Sequence, residues 1–168
     1  MLSLLLLLAT AAHAAAARYR HDSVAVLNDL RATPGAANAR LGKDELCAAS
    51  FRTAAYRRVS ASLKRKVCTE YGIAAKDCTG RKYEIDHLIS LELAGSNQIE
   101  NLWPEMYLPH GGAKQKDIVE NALHRMVCAG TISLPEAQSC IAQDWYACAK
   151  RHGIRTEIGP RRKTLKAQ

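Results

Sequence analysis

Six cysteines, Cys47, Cys68, Cys78, Cys128, Cys140 and Cys148, constrain this chain more than any other feature of its 168 residues. The set is even and contains no C-x-x-C pair, the spacing that a zinc ribbon or a thioredoxin-like site requires. In an exported chain such a set forms disulfides. Cys68–Cys78 is a candidate local bridge and Cys47–Cys128 a candidate long-range one. Cys140 and Cys148 fall on one predicted helix, about 12 Å apart at a rise of about 1.5 Å per residue. That separation excludes a bond between them, and the pairing otherwise stays open. Aromatic residues make up only 5% of the chain, so covalent staples would support a core poor in large rings.

The N-terminus gives the compartment. Residues 2–12 form an apolar run well short of the roughly 20 residues that a transmembrane helix needs. Ala12-His13-Ala14 fits an A-x-A cleavage site. Residues 1–14 therefore read as a signal peptide, although no basic residue precedes the apolar stretch. The mature chain is expected to be periplasmic or secreted, with no membrane attachment. Its length suits one domain. The formal net charge is +8, densest at Arg57-Arg58, Lys64-Arg65-Lys66 and Arg161-Arg162-Lys163. Such a charge attracts polyanions, nucleic acid among them, and is equally compatible with a solvated cationic face.

Residues 15–46 read as weakly ordered, with a short helix over 24–31 and a turn at Thr33-Pro34-Gly35. A helix is predicted over 60–71, capped by Ser60 or Ser62 and stopped by Gly72. Tyr83, Ile85 and His87 alternate with Glu84 and Asp86, which marks a short strand. Leu102-Trp103-Pro104 marks a second, which Pro104 keeps at an edge. Over 114–128 the positions Ile118, Val119, Ala122, Leu123, Met126 and Val127 follow helical spacing. A last helix starts at Ser133, with Pro135 in its first turn and Glu136 completing a capping box. Ala137, Ile141, Trp145 and Cys148 form its apolar stripe, and Gly153 ends it. Residues 154–168 form a basic tail.

The chemistry concentrates between the first of these strands and the helix over 114–128. Asp86 and His87 are adjacent, Asn101 follows His87 by fourteen positions, and His110 follows Asn101 by nine. A divalent cation needs hard oxygen ligands, and Asp86 supplies one. An imidazole titrates near neutrality, so His87 can take a proton from water. Asn101 can hydrogen-bond across the intervening loop and orient His87. Together these suit hydrolysis of a phosphodiester, with the metal stabilising charge on the phosphate.

The segment Tyr83-Glu84-Ile85-Asp86-His87-Leu88-Ile89-Ser90-Leu91-Glu92-Leu93-Ala94-Gly95-Ser96-Asn97, followed by Glu100-Asn101-Leu102-Trp103-Pro104-Glu105, resembles the HNH endonucleases of the ββα-metal superfold. It is similar to the D-H-x-x-x-L-x-x-G-G-x-x-x-x-x-N-L-W-P pattern of a bacterial exported subgroup. The likeness continues into Lys116-Asp117, Glu120-Asn121, Leu123-His124 and Val127-Cys128, and covers roughly residues 45–150. The resemblance implies Asp86 as a metal ligand, His87 as general base and Asn101 as the central asparagine of the catalytic loop. It implies His110 as the second metal ligand. The subgroup carries a ligand-like residue where this chain has Lys114. A lysine is a poor ligand for Mg²⁺, so Lys114, with Lys116, is expected to contact phosphate as a point charge.

The expected fold is α+β: a small ββα-metal core in residues 47–153, packed with additional helices and stapled by disulfides. The expected activity is metal-dependent endonuclease cleavage of DNA, with RNA as a second substrate. The cofactor is a divalent ion, Mg²⁺ first, with Mn²⁺, Zn²⁺ or Ni²⁺ as alternatives. The partner is nucleic acid, the protein a monomer, and no immunity partner can be read from the sequence. Two other functions compete. One is a catalytically degraded nucleic-acid-binding or scaffold protein. The other is a secreted glycoside hydrolase using Glu84 or Glu92 with Asp86. Trp103 and Trp145 are expected in the core, His124 partly buried on its helix, and His21 and His152 on the surface.

Overall fold

In the computed structural model, residues 17–22, 24–78 and 80–157 are described. The signal-peptide reading of 1–14 and most of the basic tail lie outside them. The chain is α+β. A two-residue hairpin comes first, β1 (Arg20–His21) against β2 (Val26–Leu27). Two helices follow, α1 (Lys43–Cys47) and α2 (Ala61–Glu70). Next come β3 (Tyr83–His87) and β4 (Leu102–Met106), then α3 (Ala113–Ala129) and α4 (Leu134–Arg151). Among the described residues no helix is long and apolar enough to cross a membrane.

Local chemistry explains most of the boundaries. The Ser60 hydroxyl accepts the Leu63 N–H and starts α2. Ser133 does the same for α4 through Glu136 N. Gly130 ends α3 in the left-handed region. β3 and β4 pair antiparallel with Asp86 opposite Trp103 and His87 opposite Leu102. Residues directly opposite share a face, so Glu84, Asp86, Trp103 and Glu105 lie on one side of the ribbon. The core is built from Leu88, Leu93, Trp103, Leu123, Ile141 and Trp145, all buried between the ribbon, the loop after β3 and the α3–α4 pair.

Three expectations are corrected. The described part of 15–46 is not weakly ordered: Ala25, Val26 and Leu27 are buried, and Trp145 Nε1 donates to Val26 O. No helix forms over 24–31. The Asp29 carboxylate accepts the Arg31 N–H, a local bond that competes with helical pairing, and β2 forms instead. The third concerns cysteine. Cys47–Cys128 and Cys68–Cys78 are bonded, as expected, but so are Cys140 and Cys148. The estimate that separated them assumed a straight helix. At Asp144 the backbone leaves the helical region (φ −166°, ψ 99°), and the two Cα atoms approach to 5.4 Å. The Asp144 carboxylate then accepts the Ala147 N–H and restarts the helix.

Candidate active site

The site lies where β3 ends against the first turns of α3. At its centre is Lys116, whose side chain is fully buried. Its ammonium donates to Asp86 Oδ2 (2.8 Å), to the main-chain oxygen of His87 (2.9 Å) and to Glu120 Oε1. Glu105 Oε2 lies 3.7 Å away. An ammonium has three donors and no acceptor, so Lys116 has none left for a phosphate. The expectation of Lys116 as a free phosphate contact is corrected on that ground. It is an internal cation that ties β3, β4 and α3 together.

The electrostatics follow from one buried positive charge among three carboxyl groups. Burial opposes the charge on Asp86, but the adjacent ammonium outweighs it and holds the carboxyl below its ordinary range. Burial raises Glu105 well above the ordinary value, and Asp86 and Glu120 raise it further. Glu120 is pushed up to about 8, again chiefly by burial. Burial would lower Lys116, yet Asp86, Glu120 and Glu105 together raise it well above the usual lysine value. The cluster therefore favours the ionised form of Asp86 against Lys116 and opposes ionisation of Glu105.

His87 closes β3 on the other face of the ribbon, and 1% of its surface is exposed. Its Nε2 lies 3.1 Å from Asn97 Oδ1. The Asn97 amide is oriented by two further bonds: Oδ1 accepts Arg58 N (3.0 Å) and Nδ2 donates to Tyr56 O (2.9 Å). With an oxygen facing it, Nε2 must carry the proton. Nδ1 then bears a free lone pair, and it is buried without a hydrogen-bond partner. Burial lowers the imidazole below its ordinary value despite the bond to Asn97 and the charge of Asp86. The Asp86 and His87 side chains do not bond to each other. Lys116 bridges the carboxylate of one and the carbonyl of the next.

Asn101 is fully buried and organises the loop. Its Oδ1 accepts Ile89 N (2.9 Å) and Ala36 N, and its Nδ2 donates to Ile89 O and Ser96 O. It does not touch His87 through a hydrogen bond. It fixes the turn that presents Asn97, and Asn97 in turn fixes His87. Gly95 is required beside it, since a Cβ there would fall 1.7 Å from Ile89 O.

His110 and Lys114 are exposed, and among the described residues no hydrogen bond or ion pair joins either to Asp86 or His87. Glu84 and Asp117 are closer in charge to the site. Both are raised, first by burial and then by repulsion from Asp86. Glu84 accepts a hydrogen bond from Tyr107 Oη (3.0 Å), and Tyr107 is itself pushed up to about 12 by burial and by Glu84. The donors on this face are oxygens, and Asp86 keeps Oδ1 outside the Lys116 bond with 17% of its side chain exposed. Mg²⁺ is commonly held by one or two carboxylates, water and substrate phosphate, and Asp86, Glu84 and Asp117 are carboxylates near enough for their charges to act on one another.

Two other groups bring three donor atoms within 4.8 Å of one another: Cys47, His124 and Cys128, and Cys140, Cys148 and His152. Their cysteines are consumed in disulfides and offer no thiolate. Residues missed in the sequence are Asn97, Glu105, Glu120 and Asp117. Only Glu120 carried a readable signal, four positions after Lys116 on one helix face. Comparison of the chain with family models, with curated proteins and with solved structures finds no match.

Proposed function

We propose that this protein is an exported phosphodiester hydrolase acting on nucleic acid, an HNH-type endonuclease in which His87 is the general base. One observation carries the reading: a buried, neutral imidazole has its proton fixed on Nε2 by Asn97, leaving Nδ1 with a lone pair and no partner. A general base needs that state near neutral pH. His87 Nδ1 takes the proton of the attacking water. Asn97 holds the ring and stabilises the imidazolium that forms, since Oδ1 keeps its bond to Nε2–H. Arg57, exposed and close enough for its charge to act on both His87 and Asp117, draws the phosphate in. Asp86 is kept ionised by Lys116 and would hold a divalent ion together with Asp117 or Glu84. That ion would stabilise the charge on phosphate and leaving oxygen. The net charge of +8 supports a polyanionic substrate, and three disulfides support an oxidising compartment.

Plasmid digestion by the purified protein tests this, in Mg²⁺, in Mn²⁺ and in EDTA, beside His87→Ala. Nicking should depend on the metal and fall by about 10²–10⁴-fold in the variant. Equal rates for wild type and His87→Ala would overturn the assignment. A second reading is binding without cleavage. It is favoured by the ammonium on Asp86 Oδ2, which already neutralises the carboxylate that an ion would need. It predicts intact plasmid under every metal condition, with retained binding.

A further inference from the structure

We propose that the cleft around Tyr83 is a track for an unpaired nucleic-acid strand, leading it along β3 toward His87; the proposal rests on the nuclease reading and names its substrate form. Two clefts meet at this residue. The larger, about 850 Å³, is lined by Tyr19, Tyr71, Lys76, Arg81, Lys82 and Tyr83. The smaller, about 300 Å³, is lined by Arg57, Lys64, Tyr83, Glu84 and Tyr107 among others. Tyr83 belongs to both. It opens β3 on the face of the ribbon that carries His87, four residues and roughly 13 Å further along the strand, with Asp86 on the opposite face.

The chemistry of the walls fits one strand. Lys76, Arg81 and Lys82 face a single acid, Asp77, in the larger cleft. Arg57 and Lys64 face Glu84 in the smaller. All five cations are exposed, so the path has a positive surplus for a phosphate backbone. Tyr19 and Tyr71 are committed through their hydroxyls, to Pro104 O and to Thr33, and form a fixed wall. Tyr83 is only half-buried, with Lys82 Nζ 5.2 Å from its ring centroid. A base stacked on that ring would carry its phosphate beside a cation. Stacking on a protein ring requires a base freed from pairing, which excludes an intact duplex from the track. The Cys68–Cys78 disulfide ties Cys78, between Lys76 and Arg81 in sequence, to α2.

Fluorescence anisotropy in EDTA separates binding from cleavage. The probes are a labelled oligothymidylate, an oligouridylate and a duplex of equal length. At least one unpaired strand should bind tenfold or more tightly than the duplex. Tyr83→Ala should weaken that binding about tenfold, the loss of one stacked base, while Tyr83→Phe stays within about twofold. The pair Arg81→Gln with Lys82→Gln should lower the slope of log K against log salt by about 1.4. Equal affinity for the duplex overturns the track, and so does wild-type binding by a folded Tyr83→Ala. Should circular dichroism show Tyr83→Ala unfolded, the exposed charge pair decides, and an unchanged salt slope overturns the proposal. Strand binding with no cleavage in any metal would leave the track standing and remove only the nuclease reading.

Discussion

A single amide decides the protonation of His87. Because Asn97 presents oxygen to Nε2, and Arg58 N with Tyr56 O holds the amide in that orientation, the basic nitrogen is Nδ1. The folded imidazole titrates below its ordinary value. Its contribution to stability is therefore complete above about pH 6.5 and is lost as pH falls through the lowered folded value. The same lowering places the acidic limb of kcat/KM below the pH expected for a free histidine. Asn97→Asp tests the link. A carboxylate on Nε2–H favours the imidazolium, so the limb should move up by about one pH unit, with the far-ultraviolet spectrum unchanged. An unmoved limb would mean that His87 is not the titrating base.

At the scale of elements, β3, β4 and α3 meet through one buried ammonium rather than through apolar contact alone. Removing it leaves Asp86 ionised without a counter-charge, because Glu105 and Glu120 can protonate and Asp86 is the group most firmly charged. Lys116→Met should cost about 3–5 kcal/mol at neutral pH, read from urea unfolding. The sign with pH is fixed by Asp86. In the wild type its folded value is depressed, so its stabilising contribution is present above about pH 4 and is lost as pH falls through the folded value. In the variant the carboxylate is a liability whenever it is charged. The deficit should be largest near pH 8 and shrink toward pH 4. A deficit that stays constant over that range would show that packing, and not charge, holds Lys116 in place. The position was legible in the sequence for a reader following the stripe backward. Lys116 precedes Val119, Leu123 and Val127 by three, seven and eleven residues, and all three are fully buried. Its polar head hid that, because a helix-surface lysine is normally solvated.

Across the whole molecule, what was legible and what was not divide by distance along the chain. The strands at 83–87 and 102–106 and the two long helices follow from local alternation, caps and stripes. Contacts made by distant segments were not legible: Tyr56 and Arg58 reaching Asn97, or Ala36 reaching Asn101. The break at Asp144 was missed for another reason, since no proline or glycine marks it. Such long-range support makes the staples unequal. Cys47–Cys128 closes 81 residues and holds α1, a five-residue helix with only Leu46 buried, against α3. Cys140–Cys148 closes 8 residues inside α4. Loop-closure entropy alone gives about 4–5 kcal/mol for the first and about 2–3 kcal/mol for the second. The function should follow the same order. Residues 48–60 hang between the first bridge and α2, and they carry the two backbone groups that orient Asn97 and, through it, His87. Replacing Cys47 and Cys128 by serine should therefore lower the urea midpoint more than the same change at Cys140 and Cys148, and should also reduce kcat. The Cys140 and Cys148 pair should lose stability with kcat unchanged, because among the described residues no hydrogen bond joins α4 to the imidazole or its amide partner. If both double variants lost activity in proportion to stability, the 48–60 segment would be a passive cover and the orientation of His87 would have to come from elsewhere.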